Sequence, residues 1–233
     1  MNRSSRTALG TSVFAMCVAA AIGAGPALAS PASTPKTADK TVSLKADLAQ
    51  LNGSGASGTV TAVVRNQRIK HIEVHASGLT PDAPHAQHIH YGEQALNECP
   101  TLALDSNMDG RLNTVEGIPA YGPVVVSLNT TGDTTPASFL AVNRFPVSHD
   151  GELDYSRDNI EFTDVAGTGY TGGGGTAMQI ADSIRDGEGV VVIHGLDYDD
   201  SGTYNFSDPE GASELNPNLP AEATDPAACG VLR

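Results

Sequence analysis

Basic residues are scarce in this chain: 13 Lys and Arg stand against 27 Asp and Glu, for a formal net charge of −14. Binding to nucleic acid or to an anionic membrane surface needs clustered cations, so a chain this acidic argues against both. Long apolar runs are also lacking beyond the first 29 residues. Those residues carry Arg3 and Arg6, an apolar run around Ser12 to Ala24, and the small-x-small triplet Ala27-Leu28-Ala29. This is the pattern of a secretory signal peptide cleaved after Ala29. Its run is too short for a comfortable membrane span, and Ala15-Met16 before Cys17 is a poor lipoprotein signal. The expected product is a soluble, exported, monomeric protein with no membrane insertion.

Cysteine and methionine are nearly as scarce. Cys17 leaves with the leader, and Cys99 and Cys229 remain for an oxidising compartment. One disulfide is the default there, with two free thiols as the alternative. Only Met108 and Met178 remain outside the leader, so the methionine-rich tracts expected of a copper store are missing. Hydrolase signatures are absent too: there is no G-x-S-x-G, and the abundant carboxylates form no distinguishable pair. The glycine run at 168–176 lacks the Lys-Ser or Lys-Thr that a phosphate-cradling loop requires.

What remains is patterned for strands. Residues 30–40 read as a flexible linker rich in Pro, Ser, Thr and Lys, and 41–233 as one domain. TVSLKADL, GTVTAVV, IKHIEVHA, QHIH, PVVVSL, SFLAV and GVVVIHG are short, apolar or alternating segments between turn residues. Within IKHIEVHA, Ile72, Val74 and Ala76 share one face, while His71, Glu73 and His75 share a solvated one. Only TAMQIADSIRDGE reads as helical, with Met178, Ile180, Ala181 and Ile184 on its apolar face and Gly187 as its stop. The tail from Ser207 to Pro226 reads as irregular chain. One short helix among about eight strands predicts an all-β fold, a Greek-key-like antiparallel sandwich or barrel with long loops.

The chain has seven histidines, three of them in HAQHIHYGEQ. On a strand, His88 and His90 point the same way, a geometry that can chelate or can merely decorate a half-buried face. His194 ends the apolar run GEGVVVIHG, which would form a central strand able to lie beside HIH. Three imidazoles converging from two strands suit copper or zinc far better than calcium or magnesium.

These residues resemble a known family. ASGLTPDAPHAQHIH is similar to the copper/zinc superoxide dismutase segment carrying the His-x-His copper pair, VVVIHG to its later copper-histidine strand, and ACGVL to the segment with its second disulfide cysteine. HIHYG followed by GPVVVSL, with a short helix before VVVIHG, resembles the CHRD domain, a secreted module of similar β architecture. The resemblance implies copper on His88, His90 and His194, a disulfide between Cys99 and Cys229, and superoxide as a substrate. The chain also departs from the dismutase pattern. No bridging histidine follows Cys99, so zinc is not expected, although SHDGEL keeps His149 and Glu152 as a remnant pair. Pro226 stands where the dismutase has its substrate-guiding arginine, leaving Arg144 or Arg157 to substitute. The alternatives are a non-catalytic, calcium-stabilised binding module and extracellular copper sequestration.

Two loops fit the twelve-residue calcium template. DSNMDGRLNTVE offers Asp105, Asn107, Asp109, the Arg111 carbonyl, Asn113 and Glu116, with Gly110 at the sharp turn. DYDDSGTYNFSD offers Asp197, Asp199, Ser201, the Thr203 carbonyl, Asn205 and Asp208, with Tyr204 pointing inward. Gly and Pro after the first loop argue against an exiting helix, so the expectation is loop chemistry without a helix-loop-helix.

Overall fold

The computed structural model describes residues 40–167, 173–207 and 209–233. The expected signal peptide, all of the expected linker except Lys40, residues 168–172 of the glycine run, and Asp208 lie outside the described residues. The strands are β1 (Thr41–Gln50), β2 (Ser57–Arg65), β3 (Arg68–Ser77), β4 (Gln87–His90), β5 (Val124–Ser127), β6 (Leu153–Glu161), β7 (Gly189–His194) and β8 (Pro226–Leu232). They form one antiparallel sheet in the order β5-β4-β7-β8-β1-β2-β3-β6. Its two four-strand halves meet at β1 and β8, where Ala49↔Cys229 and Gln50↔Ala228 pair in register and Lys45 exchanges backbone hydrogen bonds with Arg233. That sparse junction lets the sheet curl so that both halves share one core.

Alternation explains the core. Leu44, Ala46 and Leu48 of β1 and Ile72, Val74 and Ala76 of β3 face inward, against Ile89, Val126, Val191 and Ile193 from the other half. β7, buried along its whole length, is the central strand its unbroken apolar run predicts. Cys99 and Cys229 form the disulfide, closing a span of 130 residues. On the chain-entropy argument a loop of that length contributes about 5 kcal/mol.

Helices are more numerous than expected. α2 (Ala177–Arg185) lies where its periodicity predicts and opens with a Thr176/Gln179 capping box. Its buried face is Ile180, Ala181 and Ile184, whereas Met178 points outward. α1 (Thr114–Tyr121) is an exiting helix directly after the first acidic loop, despite Gly117 and Pro119 within it. Asn113 and Glu116 cap it reciprocally, which offsets the amide that Pro119 removes. Gly117 is required by packing, because a Cβ there would lie 2.3 Å from the Tyr121 ring.

Three strand assignments also change. Residues 138–142, read as a strand, instead run through two 3-10 turns, Pro136–Ser138 and Val142–Arg144. β6 and β8 were not read as strands. β6 is an edge strand whose outward positions carry Asp154, Ser156 and Asp158, and β8 follows directly on the irregular tail.

Candidate metal centre

β4 turns Ile89 into the core and so sends His88 and His90 to the opposite face of the sheet. β7 runs antiparallel beside it, with His88 opposite Val192 and the His194 amide donating to the Ala86 carbonyl at 2.7 Å. His194 is therefore the diagonal cross-strand neighbour of His88, on the same face. The three rings are packed edge to face or tilted, with centroids 5.2 to 6.1 Å apart. Each residue is 3% exposed or less.

Hydrogen bonding sets the chemistry of the three rings. His88 Nε2 faces the Phe139 carbonyl at 3.1 Å, His90 Nδ1 that of Gly122 at 2.9 Å, and His194 Nδ1 that of Thr224 at 2.6 Å. A carbonyl can only accept, so each of these nitrogens carries the proton. The remaining nitrogens, His88 Nδ1, His90 Nε2 and His194 Nε2, are buried and have no hydrogen-bond partner. One ring nitrogen from each histidine lies within 4.8 Å of the other two. Each unpaired buried acceptor costs on the order of 1–3 kcal/mol, and an ion bound by all three would remove that cost. Ring nitrogens at about 2.0 Å from a shared ion stand roughly 3.5 Å apart, so closure needs ring shifts of at most about an ångström.

Burial, followed by repulsion from His194 and His90, holds His88 well below the usual histidine range. Burial likewise lowers His90 to about 3 and His194 to about 4. The rings are neutral at physiological pH, the form that binds metal without displacing a proton.

A cavity of about 30 Å³ opens over the rings, walled by Phe139, Leu140, Phe145, Leu215 and Leu219. Its other polar side chains are already engaged: Thr114 Oγ1 donates to the Thr224 carbonyl at 2.5 Å and Thr224 Oγ1 to Ser213 Oγ at 2.7 Å. No charged side chain lines it among the described residues.

Other candidate residues lie elsewhere. His85 is fully buried, with Nε2 facing the Thr80 carbonyl at 3.1 Å and Nδ1 lying 3.0 Å from the His194 carbonyl and 3.1 Å from the Tyr204 hydroxyl. It supports the turn after His194 and is not one of the three converging rings. His149, the weaker metal candidate of the remnant pair, lies away from the three rings: its side chain is 87% exposed and sits 3.8 Å from Asp82. It meets Glu152 only through backbone hydrogen bonds. Arg144 is held by Asp133 and Ser138, and Arg157 by the carbonyls of Asn129 and Gly132. Neither guanidinium lines the cavity, so neither takes the place of the arginine missing at Pro226.

The acidic loops differ from one another. In the first, Asp105 accepts from the amides of Met108 and Gly110, Asp109 from that of Arg111, and Glu116 from Ser106 and Asn113. These carboxylates are turned onto the loop's own backbone. In the second, Asp197 and Asp199 come together with Glu222, one oxygen of each lying within 4.8 Å of the others. Glu222, fully buried in the 3-10 turn Ala221–Ala223, accepts from the Tyr198 and Asn205 amides.

No family model matches the chain, and no curated protein matches it either.

Two residues that the sequence did not single out tie these parts together. Glu222 joins the second loop to the turn that carries Thr224. Asp225, fully buried, receives the Arg111 guanidinium from the first loop and the Tyr198 hydroxyl from the second. Burial pushes its carboxyl up to about 7, with Arg111 and Tyr198 opposing.

Proposed function

We propose that this is an exported copper-binding β protein of the CHRD or superoxide-dismutase-like class, holding one ion on His88, His90 and His194. The observation that carries this reading is the set of three unpartnered ring nitrogens converging from rings whose opposite nitrogens are fixed by backbone carbonyls. Copper is favoured by charge. Three neutral imidazoles bring no compensating anion, and the cost of burying an ion rises steeply with its charge, so a singly charged cuprous ion suits this apolar surround best. A three-histidine zinc site keeps a water in its open position, and most of the cavity wall around that position is apolar. Copper bound there would supply one-electron chemistry or simple retention. The backbone carbonyls orient the rings, and the apolar wall keeps bulk water off them.

Dismutation of superoxide is the weaker form of this reading, because no cation lines the cavity among the described residues of a strongly acidic chain. Calcium belongs to the proposal as a stiffener of the loops at 105–116 and 197–208. At the second loop it is supported by the gathering of Asp197, Asp199 and Glu222. Export rests on the leader pattern of residues 1–29.

Metal content of the purified protein after copper exposure tests the reading. One equivalent of copper, lost in the double variant His88→Ala with His194→Ala, is expected. Equal copper in both proteins, or none in either, refutes it, and calcium alone in both would point to a calcium-stabilised binding module.

A further inference from the structure

The cavity over the three histidines has its own chemistry. At about 30 Å³ it is large enough for roughly two water-sized occupants. The only polar side-chain atoms without a partner that face it are those of the histidines, since Thr114 and Thr224 spend their hydroxyls on each other's surroundings. Leu215 and Leu219 of the C-terminal tail, with Phe139, Leu140 and Phe145, supply its apolar wall.

We infer that this cavity is a ligand pocket of the metal centre and that it selects a small neutral diatomic molecule over an anion. The inference rests on the copper reading for its metal and on the cavity's lining for its selectivity. The bound ion's own charge attracts an anion, but an anion entering the pocket sheds its hydration, which costs several kcal/mol in an apolar surround. It meets no Lys or Arg among the lining residues, and it approaches through the field of an acidic chain. A neutral diatomic loses almost no hydration and fits the volume.

The selectivity can be reversed by design. Leu219 is half-buried in the cavity wall, so Leu219→Lys can keep its apolar stem in place and carry its ammonium to the mouth. A unit positive charge about 10 Å from the bound ligand tightens anion binding about tenfold.

The test uses the full chain. Xenon-pressurised crystals of the metal-free protein probe the cavity without copper, and one xenon site against Phe139, Phe145 and Leu219 is expected. With copper loading verified by metal content, the reduced protein is titrated with carbon monoxide and followed by its infrared stretch. The oxidised protein is titrated with azide and followed by its charge-transfer absorption. One carbon monoxide per copper is expected, with azide binding weaker than roughly 10 mM. Leu219→Lys should tighten azide about tenfold and change carbon monoxide affinity by much less, and Leu215→Lys provides a second variant should the first not fold. Copper retained with azide tighter than roughly 10 mM, with no carbon monoxide bound, or with azide unaffected by both lysines, overturns the selectivity. Absence of copper overturns the metal reading, and it is seen before any ligand is added.

Discussion

Acid should destabilise the metal-free protein well before its carboxylates are protonated. His90 titrates at about 3 and His194 at about 4 in the fold, while an unfolded chain takes up the same protons near the reference value of 6.5. His88 is lowered as well. Where folded values are depressed, stability is fully present above pH 6.5 and is lost as the pH falls toward 4, because only the unfolded state binds protons in that window. Each histidine contributes a slope of about 1.4 kcal/mol per pH unit, or on the order of 3 kcal/mol by pH 4. Mutual repulsion among the rings means the contributions do not simply add. Even two of them are a large share of the 5–15 kcal/mol typical of a domain. Urea denaturation of the metal-free protein from pH 7.5 to 4.5 measures the loss. His90→Asn is the informative variant, since its side-chain amide can still donate to the Gly122 carbonyl but cannot titrate. Its slope should be shallower than wild type by about 1.4 kcal/mol per pH unit. A wild-type stability that is flat between pH 6.5 and 5, or an unchanged slope in His90→Asn, refutes the reasoning.

Asp225→Ala removes the shortest of three ion pairs to Arg111, which keeps Asp109 at 3.2 Å and Glu214 at 3.3 Å, so the loss is that of a charged hydrogen bond, about 1.5–3 kcal/mol. Thermal denaturation should show a melting temperature lower by roughly 3–12 °C, and an unchanged value contradicts the account. Gly195→Ala places a Cβ 2.1 Å from the Tyr204 hydroxyl, at a backbone φ of +107°. The variant should fold less stably and bind copper more weakly, because Gly195 directly follows His194; copper titration beside a urea curve separates the two effects. Calcium should raise the melting temperature of the wild type, and Asp197→Asn should remove much of that gain. Equal calcium responses in the two proteins would take Asp197 out of any cation site.

Much of the fold was legible because period-two alternation reports directly on burial: β1, β2, β3, β4, β5 and β7 lie where their apolar positions put them. SFLAV at 138–142 misled because its apolar residues serve the cavity rather than a sheet. Phe139, Leu140 and Val142 line the pocket from turns, so their hydrophobicity carries no strand period. β6 was hidden by its polar outward face and by Asn159, whose φ of +55° interrupts the alternation. α1 was hidden by Gly117 and Pro119, each read as a breaker, whereas its capping box lay within the acidic template itself. The histidine triad was legible because His-x-His on a strand and a histidine ending an apolar run are local patterns. Glu222 and Asp225 were not, since their roles depend on a tail that folds back over both loops, and nothing in their local sequence signals that return.

Copper-edge X-ray absorption of the loaded protein tests the central claim most directly. The account predicts three imidazole nitrogens at about 2 Å, reduced in number when His90 is replaced by asparagine. A first shell of oxygen or sulfur ligands, or a spectrum indifferent to that replacement, would contradict it.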